Sequence, residues 1–122
     1  MDPSFRVKNF ATIRMSVNDV SRARDWYRKF WHQDPVDDLK DFVSFRIAGV
    51  HFDICLADAK SPTSTGGSVG YWLVDDLDKA IAKALELNAS IYRGPLKVEE
   101  IHRTIVQIKD PHGNVFGLEA EF

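Results

Sequence analysis

His51-Phe52-Asp53 puts an imidazole and a carboxylate two residues apart, and Cys55 adds a thiol two residues further on. Side chains alternate along a strand, so in an extended segment all three share one face. A His and an Asp together on a face supply two ligands of an iron facial triad. The third would have to be His102 or His112. His102 borders an irregular stretch and His112 lies in a turn, so the plainer reading leaves His51 and Asp53 as polar strand residues. His32, at the end of a helical pattern, suits the negative pole of the helix dipole. Cys55 reads as a small buried hydrophobe rather than a nucleophile. No spacing supports a Ser-His-Asp or Cys-His arrangement.

The elements that must position these residues announce themselves at Asp110-Pro111-His112-Gly113-Asn114. Pro111 presets a turn φ, and Gly113 and Asn114 tolerate positive φ, so the run predicts a tight hairpin between strands over 105–109 and 115–121. A repeat lies upstream: Val17 and Asp19 recur as Val74 and Asp76 at a constant offset. Asp19 is placed to cap a helix with apolar positions Val20, Ala23, Tyr27, Phe30 and Trp31. Asp76 is placed likewise before Leu77, Ala80, Ile81, Ala84 and Leu85, the i, i+3, i+4, i+7, i+8 pattern of an amphipathic helix. Pro35 stops the first helix and Asn88 suits the C-terminal end of the second. Strand-like segments follow each helix, over 36–39, 42–47 and 50–57, then 89–93, 104–109 and 115–121. Ala48-Gly49 is a hairpin link, and Gly94-Pro95 opens an irregular connection running to about His102.

The chain has 122 residues, 44% of them hydrophobic, with a net charge of −2 and scattered cations, which speaks against a nucleic-acid partner. A single cysteine precludes an internal disulfide and makes a reducing cytoplasm the default. No apolar run approaches the roughly 20 residues of a membrane helix. The first residues, Met1 to Arg6, lack a secretory-signal pattern.

Strand, helix and three strands, written twice and closed by Asp110-Pro111-His112-Gly113-Asn114 with Gly94-Pro95 upstream, resemble the vicinal oxygen chelate superfamily. That group contains glyoxalase I, the bleomycin resistance proteins and the extradiol dioxygenases, and the resemblance covers about 10–122. It implies an α+β fold of two βαβββ modules, with curved mixed sheets around a groove and helices outside. Module one would span about 10–60, a linker 61–67 and module two 68–122, all one domain. Family members are often dimers, so a homodimer is expected.

Metal-dependent relatives take ligands from the first and last strands of each module. By that pattern the positions here are Thr12, Val69, Asp53 and Gly117. Only Asp53 is a good donor, and a transition metal wants three or four protein ligands. A one-residue register slip brings in Ile13, Ser68, Gly70, Phe52, Ile54, Phe116 or Leu118, which are no better. No metal or other cofactor is expected.

Alternation then assigns faces. Ile13, Met15, Val17, Phe52, Ile54, Leu56, Trp72, Val74, Phe116 and Leu118 should pack under the helices. Thr12, Arg14, Ser16, His51, Asp53, Cys55, Val69, Tyr71, Leu73, Val115, Gly117 and Glu119 should face the groove. Of segment 42–47, either Phe42, Ser44 and Arg46 or Val43, Phe45 and Ile47 line it, and Gln107 is a weaker candidate. Arg14, His51, Asp53, Tyr71 and Glu119 are the expected ligand-binding residues, unless Arg14 simply pairs with Asp53 or Glu119. With the metal positions lost, the resemblance implies a metal-free protein like the bleomycin resistance branch, binding a small aromatic or antibiotic-like molecule. The alternatives are a glyoxalase-like lyase or isomerase or a dioxygenase with an atypical site, and a regulatory module with a vestigial groove.

Overall fold

The computed structural model describes residue 6 and residues 8–63 and 68–122. Of the expected linker, 64–67 lie outside the described residues. The elements run β1 (Thr12–Val17), α1 (Val20–Trp31), β2 (Asp37–Asp38), β3 (Phe42–Ile47), β4 (Val50–Leu56), β5 (Tyr71–Leu73), α2 (Leu77–Glu86), β6 (Ser90–Val98), a 3₁₀ turn (Glu99–Ile101), β7 (Arg103–Lys109) and β8 (Val115–Glu121). The order is strand, helix and three strands, twice, as the repeat predicts.

Each helix begins where its cap dictates. An Asp19 carboxylate oxygen accepts from the Arg22 backbone N–H at 3.1 Å, and an Asp76 oxygen from that of Lys79 at 3.0 Å. The bond from Arg22 holds the Asp19 carboxyl below its usual range. Ala48 and Gly49 both have positive φ, 50° and 83°, the backbone of a two-residue hairpin whose twist matches its strands.

Two mixed four-stranded sheets result. Sheet A has the order β1-β4-β3-β2 and sheet B the order β5-β8-β7-β6. In each, the first strand runs parallel to the last and the other pairs are antiparallel. Both sheets and both helices close on one core. Sheet A contributes Met15, Val17, Val43, Phe45, Ile47, Phe52 and Ile54, and sheet B contributes Trp72, Val106, Ile108, Phe116 and Leu118. Helix α1 stitches them together: the Tyr27 ring lies 4.8 Å from Phe52 and 6.1 Å from Phe116, and the Trp31 ring 5.0 Å from Trp72.

The turn at 110–114 is part of that stitching. Asp110 is 3% exposed. One carboxylate oxygen accepts from the backbone N–H groups of His112 and Asn114 at 2.8 and 3.0 Å, and the other from the Tyr27 hydroxyl at 2.5 Å. Burial, then the Asp110 carboxylate beside it, pushes the Tyr27 phenol well above its ordinary range and keeps its proton in place. Asn114 donates from its side-chain amide to the Ser16 carbonyl in β1 at 2.7 Å. The motif therefore joins β8, α1 and β1.

The structure departs from the sequence reading in a few places. Strand β6 does not stop at 93 but continues through Gly94-Pro95, a cis peptide, to Val98. Its pairing with β7 absorbs two register shifts there. Strand β2 keeps only two residues, and β5 begins at Tyr71, after Val69. Leu56 is 47% exposed rather than under a helix, because it ends its strand beyond the reach of the core.

Candidate functional site

Residues directly opposite in neighbouring strands share a face. Val43, Phe45 and Ile47 are buried in the core, so β3 turns Phe42, Ser44 and Arg46 outward. The outer face of sheet A then carries a row running straight across its four strands: Arg14, Asp53, Ser44 and Asp37. Beside it runs a second row of Thr12, His51 and Arg46.

The central acid of sheet A is tied down. Asp53 is 6% exposed and accepts from the Ser44 hydroxyl at 2.7 Å. Arg14 stands 3.6 Å from its other oxygen with a largely exposed side chain. Arg46 lies 2.8 Å from Nε2 of His51. A guanidinium can only donate, so Nε2 is the acceptor in this contact. Burial pushes the Cys55 thiol up, against a smaller opposing pull from Arg14, so it stays a thiol as the sequence predicts.

The matching row of sheet B reads Tyr71, Gly117, Gln107 and Arg93. Gly117 is buried beneath the Tyr71 ring. A Cβ at 117 would sit 2.2 Å from a ring carbon, so no larger residue fits while the ring stays. Lying across the glycine, Tyr71 reaches the next strand, where Gln107 donates from Nε2 to its hydroxyl oxygen at 2.9 Å. Glu119, next along β8 on this face, pairs with Arg103 at 3.1 Å rather than with Arg14. At the far end the row opens into a cavity of about 530 Å³ lined by Tyr71, Arg93, Pro95, Leu96, Ile105 and Gln107, with the backbone of Gly94 and Val106. That size suits a small organic ligand.

The five expected ligand-binding residues are thus divided. Arg14, His51 and Asp53 lie on sheet A, with Arg14 and Asp53 paired, while Tyr71 and Glu119 lie on sheet B. Among the described residues, the polar side-chain contacts of each outer face stay within its own sheet. Arg93 was missed because the irregularity in β6 breaks the alternation by which a sequence assigns faces, and a bulge leaves no local signal beyond Gly94-Pro95.

The metal positions implied by the resemblance do not form a donor set. Asp53 is engaged by Ser44 and Arg14, and the Tyr71 ring fills the space over Gly117. Among the described residues, no three His, Cys, Asp or Glu side chains converge as a cation site. No chemical step through a metal can be built on these residues.

A family model described as Glyoxalase/Bleomycin resistance protein/Dioxygenase superfamily matches residues 9–118. No curated protein matches the sequence. Among solved structures, a glyoxalase/bleomycin resistance/dioxygenase family enzyme from Burkholderia phytofirmans PsJN superposes with a TM-score of 0.78 at 16% identity, covering 92% of this chain and 98% of that one. The genomically encoded fosfomycin resistance protein FosX from Listeria monocytogenes gives 0.78 at 14% identity, covering 96% of each chain. A glyoxalase/bleomycin resistance protein from Albidiferax ferrireducens T118 gives 0.72 at 17%, covering 92% and 98%. Identities this low speak for the fold.

Proposed function

This chain belongs to the glyoxalase/bleomycin resistance protein/dioxygenase superfamily, and on that premise we propose that it is a metal-free small-molecule-binding protein of the cytoplasm. Its ligand is a small aromatic or antibiotic-like compound, seated against the outer face of sheet B. The observation that carries this reading is the cavity of about 530 Å³ beside a tyrosine laid over a glycine. An aromatic wall, apolar flanks and a few fixed hydrogen-bonding groups are what a ligand site of this kind needs. The place where relatives carry a metal-binding carboxylate has become part of that wall.

The cavity is lined from sheet B alone. The chain is one domain of two modules, 10–60 and 68–122, and a second copy would close the cavity by laying Arg14, His51 and Asp53 over Tyr71 and Glu119. Those five residues then line one groove between two chains. A fosfomycin resistance protein among the similar structures supports a small drug as the class of ligand, and among the described residues no three His, Cys, Asp or Glu side chains converge for metal-assisted chemistry.

The test uses protein purified without a histidine tag. Small aromatic ligands are expected to raise Tm equally with and without a chelator, light scattering to give a dimer mass, and elemental analysis to find no stoichiometric Zn, Ni, Mn or Fe. Stoichiometric metal that disappears in Asp53→Ala would overturn the metal-free reading and favour a lyase, isomerase or dioxygenase.

A further inference from the structure

We propose that the ligand of the sheet B cavity carries an anionic group, a carboxylate or an equivalent oxyanion, and that Arg93 selects for it. This rests on the reading of that cavity as the ligand site. Within the single chain, Arg93 is the charged residue among those lining the cavity, and no acid of that chain lines it. Arg14, Arg24, Arg28 and Arg103 each have a carboxylate within 3.6 Å. Arg93 has no hydrogen bond or ion pair with any described residue. A guanidinium presents a fork of donors that matches a carboxylate in two parallel bonds.

The neighbouring polar groups point the same way. The Tyr71 oxygen accepts from Gln107, which leaves the phenol proton to be given to something else. A hydroxyl that already accepts a hydrogen bond is polarised into a better donor. Register places Arg93 opposite Gln107 and Gln107 opposite Gly117, over which the Tyr71 ring lies, so both donors serve one space. Pro95, Leu96 and Ile105 supply apolar surface beside them. The complementary molecule has a flat or compact apolar body, an anion at the Arg93 end and a hydrogen-bond acceptor near Tyr71. A neutral hydrocarbon would leave the phenol proton and the guanidinium facing it without partners.

The probes are 1-naphthoate and its neutral counterpart 1-naphthalenemethanol, titrated calorimetrically against the full chain at low salt. Because Arg93 is exposed, solvent screens it, and the wild type should bind the acid about tenfold tighter than the alcohol. In Arg93→Gln, checked by thermal melting to be folded, the acid-to-alcohol ratio should fall to about one. The wild-type ratio should also shrink as salt approaches 1 M. A wild-type ratio near one, or a preference that survives Arg93→Gln, overturns the anion inference and leaves the cavity as a ligand site. If neither probe binds, both readings fall.

Discussion

Arg14-Asp53-Ser44-Asp37 and Tyr71-Gly117-Gln107-Arg93 occupy the same place in two copies of one architecture, and they do opposite things. Each row crosses four strands in the same order, parallel pair first. In sheet A the second position is a carboxylate held by a serine and an arginine. In sheet B it is a glycine, and the aromatic side chain from the first strand falls into the room left over. The ends are reversed in charge, Asp37 against Arg93. One row is closed on itself by polar contacts; the other leaves a cavity with a spare cation and a spare phenol proton. A duplicated unit thus need not duplicate a site. One residue without a side chain is enough to turn a polar lid into an aromatic floor.

The sharpest way to break this contrast is Gly117→Ala. The new methyl group must displace the Tyr71 ring, which takes the tyrosine from Gln107. The expected cost is about 2 kcal/mol in urea unfolding, together with loss of naphthoate binding. Unchanged stability and binding would mean that the ring does not lie where the contrast needs it.

Asp53→Ala comes next. It strips the buried Ser44 hydroxyl of its acceptor, and about 1.5 kcal/mol of stability should go with it. Ligand affinity measured on a chain held monomeric by dilution should stay, since Asp53 lies outside the sheet B cavity. A loss of affinity there would show that the rows are coupled inside one chain.

Arg14→Gln should have the smallest effect. Its side chain is 66% exposed and its ion pair is 3.6 Å long, so the change is expected to be at most about 0.5 kcal/mol and to vanish at high salt. A larger, salt-resistant loss in thermal unfolding would place Arg14 in an interface between copies, not at a free surface.

Much of the fold was legible because its signals are local. Asp19 and Asp76 cap their helices as read, Ala48-Gly49 makes its hairpin, and alternation placed nearly every side chain of β1, β4 and β8 on the correct face. Of the four positions the resemblance assigns to a metal, the sequence also determined that Val69 and Gly117 have no side-chain donor and Thr12 only a poor one, in any conformation. Segment 89–93 was read as a strand without a face, and the register shifts on either side of Arg93 are why alternation does not place that residue.

Only the tertiary structure decided what the Gly117 vacancy becomes, because Tyr71 and Gly117 are brought together by the pairing of β5 with β8, far apart in the chain. It also decided that Arg14 meets Asp53 while Glu119 meets Arg103, a choice that charge alone leaves open and strand register settles. The turn at 110–114 shows both levels at once. Its residue types specify a hairpin locally, but its buried carboxylate gains its partner only when α1 delivers Tyr27 across the core.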